Sequence, residues 1–329
     1  MNIAPLNSFL TINRIPSFRS NRNIYGLKKD TVSFKSKDNL SSNINQGVDL
    51  GSEIYAKLKT SGGFNVINFF SKKEKNISVL PIQELYRTIP DAEDYDAYVM
   101  WDIKDNSFQK PKMFVANAPK RNSDASKMLY SMTVAHEYTH IRQILNGDET
   151  KFLKTLSSQN PRYVKSVIAL GDAVFKFFDT QMQANFAINT FDNNDKMTVA
   201  MNGEITPLPK AITKNQALQD NGFSSDEEFK QFVNAMYEKL FYEVLKYTIQ
   251  EGPYVEKEIA QNVKVLLQDS ENMDKLRYDV CKYCSHNALR EYEAYKTESE
   301  TAKKIMNTKG TLSTDVFCYY YKMLEEALN

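Results

Sequence analysis

The spacing of apolar residues changes character twice along the chain. In GVDLGSEIYAKLK, from Gly47 to Lys59, apolar positions recur at helical intervals, and Gly62-Gly63 follow as a stop signal. From Phe64 to Pro119 the pattern becomes a series of short runs rich in β-branched and aromatic residues, FNVINFF, NISVLPI, YDAYVMWDI and KMFVANAP, separated by turn formers. These runs predict a small sheet of three or four strands. Past Pro119 helical periodicity takes over. SDASKMLYSMTVAHEYTHIRQILNG carries Met128, Met132, Ala135, Ile141, Ile144 and Leu145 on helical spacing, with Asn122 or Ser123 as N-cap and Gly147 just past the end. Further helices are predicted over about 162–190, 226–249, 254–268, 271–306 and 314–328. A polar stretch between Phe191 and Phe223, with Gly203, Pro207 and Pro209, reads as a long loop or a small hairpin. No internal repeat is visible. The expected fold class is α+β: a small N-terminal antiparallel or mixed sheet packed on the helix around residue 136, followed by a large helical region.

Composition alters this picture little. The 329 residues are 42% apolar and 25% charged, which is ordinary for a globular chain. Forty-two basic residues face 41 acidic ones, so no whole-chain field draws the protein to nucleic acid or to an anionic membrane. Three cysteines, Cys281, Cys284 and Cys318, are too few for a disulfide framework at this length, which points to a reducing compartment. No apolar run approaches the roughly 20 residues that span a bilayer; the most apolar, Ser166 to Phe178, is broken by Asp172 and Lys176. Residues 1–45 stand apart, with seven basic residues (Arg14, Arg19, Arg22, Lys28, Lys29, Lys35 and Lys37) against Asp30 and Asp38. Rich in Ser and Asn, this segment predicts a disordered basic tail. The same composition suits a transit peptide or an export leader. The expected localisation is cytoplasmic, with export through an atypical N-terminal leader as the alternative.

The candidate chemistry lies in VAHEYTHIRQ, which holds two of the three histidines. His136 and His140 are four residues apart, so on a helix their rings leave one face and can reach a single Zn2+ at about 2.0–2.1 Å. Glu137 follows the first histidine; its carboxylate can stand beside the metal without binding it and take a proton from a zinc-bound water. The flanking Val134, Ala135, Tyr138, Thr139 and Ile141 are uncharged, as a partly buried helix requires. A catalytic zinc needs a third protein ligand and an open fourth position. The stretch REYEAYKTE, from Arg290 to Glu298, offers Glu291 and Glu293 on a second helix, and His286 is the only remaining histidine.

The pair HEYTH and REYEAY resembles the zincin metallopeptidases, specifically the gluzincin branch, whose third ligand is a glutamate on a second helix. REYEA is similar to the second motif of HtpX-type peptidases, which begins with the ligand glutamate and has an aspartate four residues on. By position the resemblance implies Glu291 as ligand, with Tyr295 where that family has aspartate, and Glu298 on the same face as a substitute partner for a ligand histidine. A thermolysin-like alignment would instead choose Glu293. The resemblance covers about twenty residues, and the transmembrane helices typical of HtpX-type enzymes are absent from this sequence. Arg142 also departs from the apolar residue usual at that place. Zincins place substrate along an edge strand before the active-site helix, which makes KMFVANAP the expected strand by resemblance.

Other motifs compete. CKYCSH, Cys281 to His286, has the spacing of half a structural zinc site but no obvious fourth ligand, and reads better as two packed cysteines. His286, seven residues before Glu293 on one helical face, is either an active-site neighbour or a helix histidine with a local partner. The tyrosines Tyr283, Tyr292, Tyr295 and Tyr319 to Tyr321 include candidates for an oxyanion donor. The sequence thus leads to an expected zincin-like domain over residues 46–329 after the tail. Its expected activity is hydrolysis of a peptide or protein substrate, with one catalytic Zn2+ on His136, His140 and Glu291 and with Glu137 as general base. The alternative is a non-catalytic zinc-binding effector or interaction module on the same scaffold.

Overall fold

The protein is described by a computed structural model covering residues 27–28, 37–86, 96–104, 107–108, 111–192, 212–250, 256–269 and 271–329. Five strands form one mixed sheet: β1 (Leu27–Lys28), β2 (Ser78–Pro81), β3 (Ala97–Lys104), β4 (Ser107–Phe108) and β5 (Lys112–Val115). Its order is β1-β3-β5-β2, with β4 also on β3. β2 runs parallel to β5 and β3 antiparallel to it, with Val79 opposite Met113 and Val99 opposite the same residue. The strand expected to carry substrate is therefore interior. β5 has a neighbour on both sides, so its backbone groups are occupied and cannot accept an added strand. Among the described residues, the strands paired on one side only are β1, β2 and β4.

Two further expectations are corrected. FNVINFF is not a strand but the helix α2 (Val66–Lys73), started by the Asn65 side chain, which accepts from the Asn68 backbone N–H at 2.9 Å. A run that is apolar at nearly every position fits either period; here the cap, and Val66 with Phe70 buried one turn apart, select the helix. The short helix read from Gly47 is the second half of α1, which runs from Lys37 to Thr60 and so takes in the last residues of the predicted tail. The rest of that tail, apart from β1, lies outside the described residues, as do residues 193–211 of the predicted polar loop.

The helices past the sheet follow the periodicity closely. The motif helix α3 (Asp124–Leu145) starts at Ser123, whose hydroxyl accepts from Ser126 N–H at 3.2 Å, and stops before Gly147 at φ 72°. Then come α4 (Asp148–Leu153), α5 (Pro161–Phe177), a π-helical turn (Phe178–Met182), α6 (Gln183–Asp192), α7 (Lys214–Asp220), α8 (Asp226–Ile249), α9 (Lys257–Leu266), α10 (Glu271–Met306) and α11 (Ser313–Leu328). α10 has 36 residues and extends roughly 54 Å at 1.5 Å per residue. It turns back into α11 through Asn307, which takes the left-handed conformation at φ 49° that closes many helices. No helix among the described residues is long and apolar enough to cross a membrane.

From Tyr130 to Ile144 α3 is buried on most of its circumference, which is why its apolar stripe looks broad in the sequence. One side packs on the sheet: Tyr130, Val134, Tyr138 and Ile141 share a core with Val99, Met113 and Val115. Another meets α1, where glycines allow close approach; a Cβ on Gly47 would sit 2.6 Å from Thr139 Oγ1 and 2.5 Å from Thr297 Cγ2 of α10. A second, larger core joins α4 through α11, with Tyr283, Cys284 and Ala288 of α10 at its centre. The two cores come together where α3 crosses α10.

Candidate metal centre

Three donor groups converge at that crossing. His136 and His140 come from α3 and Glu291 from α10, and one ligand atom from each lies within 4.8 Å of the other two. His136 Nε2 is 3.6 Å from Glu291 Oε2, and His140 Nε2 is 3.9 Å from Glu291 Oε1. Donors around a tetrahedral zinc at 2.0–2.2 Å are roughly 3.3 Å apart, so the two separations from Glu291 lie within about 0.6 Å of that value. The residues are 7%, 0% and 6% exposed. Two imidazole nitrogens and a carboxylate oxygen are a donor set suited to zinc, and the group can hold a metal ion. Among the described residues no other His, Cys, Asp and Glu side chains gather in this way.

The three candidates for third ligand separate cleanly. Glu291 faces both histidines. Glu293 lies outside the cluster; its Oε2 accepts from Gln143 Nε2 at 2.5 Å, and burial pushes its carboxyl up to about 8. His286 is no ligand either. Its ring is fully buried and stacks on Phe152 with centroids 3.7 Å apart and planes at 19°. Burial, then the Arg290 and Lys282 charges, hold its pKa well below the usual histidine value.

Outer partners orient the imidazoles. His136 Nδ1 is 2.9 Å from Glu298 Oε1, and residues 291 and 298, two turns apart, share one face of α10. The Glu298 carboxylate stands about one turn beyond Tyr295. Tyr295 sets its ring against His136 at 88° and 4.9 Å, and stacks on Phe317 and Tyr321 of α11. Tyr321 in turn donates to Asp179 on the π-helical turn at 2.6 Å. Burial opposes a charge on His136, but the carboxylates of Glu298 and Glu291 outweigh it and hold the pKa well above the ordinary value. A metal ion binding to the cluster displaces a proton. His140 Nδ1 lies 2.9 Å from Gln143 Oε1, and Arg290 Nε donates to the same oxygen at 3.0 Å.

Glu137 is buried beside the pair, 6% exposed, and is not one of the three clustered donors. Arg142 acts on Tyr138, whose hydroxyl donates to Glu74 Oε1 at 2.5 Å. Cys281 and Cys284 have separate partners, the carbonyls of Leu328 at 3.4 Å and Gly171 at 3.7 Å, so the CxxC is packing. Of the tyrosines singled out from the sequence, Tyr295 is the one whose ring meets a clustered histidine; Tyr283 donates to Asp172 and Tyr320 to the Phe178 carbonyl. Sequence reasoning misses Gln143 and Arg290. The one signal for them is that Gln143 follows His140 by three positions on a helix, within side-chain reach.

Compared with known proteins, the chain matches no family model, no curated protein and no solved structure.

Proposed function

We propose that the chain is a zinc-dependent peptidase of gluzincin type, acting on a peptide or protein substrate. His136, His140 and Glu291 would hold one zinc ion, and Glu137 would act as general base. One observation carries the reading: an HExxH pair on α3 meets a glutamate from a second helix at ligand distance. Three protein ligands leave the fourth tetrahedral position open, the arrangement of a catalytic rather than a structural zinc. Zinc bound there would lower the pKa of a water molecule and polarise the scissile carbonyl.

The chain's own groups do the rest. Glu137, on the turn that carries both histidines, accepts the proton of the attacking water and returns it to the departing amine. Glu298 and Gln143 hold the two imidazoles in place from behind. The buried surroundings keep bulk water from screening these charges.

The depth of that burial favours one rival, a non-catalytic module in which the ion serves structure. Two measurements separate the readings. Metal content by mass spectrometry, on protein purified without a metal-affinity column, should give about one zinc per wild-type chain and much less in Glu291→Ala. Casein cleavage that a chelator abolishes and zinc restores identifies the peptidase; zinc without cleavage identifies the rival. Wild-type protein with no zinc after reconstitution ends both.

A further inference from the structure

We infer that Gln143 fixes His140 in the tautomer that can bind metal, and that Arg290 and Glu293 lock the Gln143 amide in the orientation this requires. The purpose of the device rests on the zinc reading above; its geometry does not.

The His140 ring is completely buried, so protein groups alone decide which nitrogen carries the proton. Gln143 Oε1 lies 2.9 Å from Nδ1 and Arg290 Nη2 lies 3.4 Å from it. They make opposite demands. If the amide oxygen accepts, the proton sits on Nδ1 and Nε2 presents its lone pair toward Glu291. If the guanidinium donates, Nδ1 holds the lone pair and Nε2 carries a proton that blocks ligation.

The orientation of the Gln143 amide settles the choice. Its oxygen also receives Arg290 Nε at 3.0 Å, and a guanidinium can only donate. Its nitrogen reaches the Arg290 carbonyl at 3.5 Å, which can only accept, and Glu293 Oε2 at 2.5 Å, an oxygen that accepts in either protonation state of the carboxyl. Turning the amide over would set its N–H against the Arg290 Nε–H on one side and its oxygen against the Arg290 carbonyl oxygen on the other. Gln143, Arg290 and Glu293 are 1%, 1% and 3% exposed, so no bulk water compensates such a reversal. With the oxygen pinned toward His140 at the shorter of the two distances, Nδ1 is the donor. Gln143 is therefore a positioning residue acting through His140, with Arg290 and Glu293 as its two clamps.

The first test uses wild-type, metal-free protein labelled with 15N-histidine, its signals assigned through His286→Phe and His136→Asn proteins. A protonated His140 Nδ1 is expected; an unprotonated Nδ1 overturns the inference. The second is zinc affinity by competition with a chelator. Gln143→Met should bind zinc about 10- to 100-fold more weakly, in line with losses of outer partners. Unchanged affinity in Gln143→Met overturns the inference. Should that variant fail to fold, the wild-type spectrum decides. A wild type that binds no zinc sinks the peptidase reading, and the spectrum still reports on the tautomer.

Discussion

Glu298 approaches His136 Nδ1 to 2.9 Å from two turns beyond Glu291 on the same helix, so α10 supplies both one of the three clustered donors and the carboxylate behind another. The side chain of Glu298 is 15% exposed and that of His136 10%, so the pair is shielded from water and its geometry matters. Glu298→Gln should weaken zinc binding by about 10- to 100-fold while leaving the fold intact. Chelator competition read beside circular dichroism checks this. Unaltered affinity would reduce Glu298 to a bystander.

Glu137→Gln separates binding from chemistry. The amide is nearly isosteric and leaves the three ligands untouched, so zinc content should match wild type while hydrolysis disappears. Turnover of more than a few per cent of wild type, measured on casein, would remove Glu137 from its role.

Gly51 sits where α1 lies closest to the motif helix. A Cβ there would come within 2.7 Å of Thr301 Cγ2, 2.9 Å of Ala135 Cβ and 3.1 Å of the Ser131 carbonyl. Alanine gains about 1 kcal/mol of helix propensity, but overpacking costs about 1–3 kcal/mol. All three neighbours are short or backbone atoms that cannot swing aside. Gly51→Ala should therefore lower the Tm, whereas Gly62→Ala, with nothing within 4 Å, should not. A raised Tm in Gly51→Ala would mean that the helices part without cost.

His286 gives the fold a pH dependence of predictable sign. Its folded-state pKa is held well below the unfolded value of 6.5, chiefly by burial. Above that value both states are neutral. As pH falls below 6.5, the unfolded chain binds a proton that the folded one refuses, and stability is lost. His286→Phe keeps the stack on Phe152 and removes this liability. Its Tm advantage over wild type should grow from pH 8 to pH 5 (scans at both values, about 1.5 units either side of the unfolded pKa, decide it). A constant difference would show that His286 titrates alike in both states.

Much of the site is legible in the amino-acid sequence. His136, Glu137 and His140 belong to one helical turn, and intrahelical hydrogen bonds fix such neighbours wherever the helix packs. The caps at Ser123 and Gly147 and the bounds of α8 and α10 are legible for the same reason: each rests on a few adjacent residues. FNVINFF misleads because five apolar residues in seven, interrupted at Asn65 and Asn68, fit either period, so its cap and packing decide.

Tertiary structure decided what depended on distant segments. Glu291 and Glu293 lie on one helix, roughly 200° apart around its axis, so only the rotation of α10 against α3 selects which of them joins the two histidines. That rotation is set by close contact of Gly47 with Thr139 and Thr297, and by the Tyr295 ring against His136, across about 150 residues of chain. The interior place of β5 follows from its pairing with β2 and β3, which no local pattern encodes. Sequence alone determined the motif and its helix; packing between helices chose the third clustered donor and the groups that hold it.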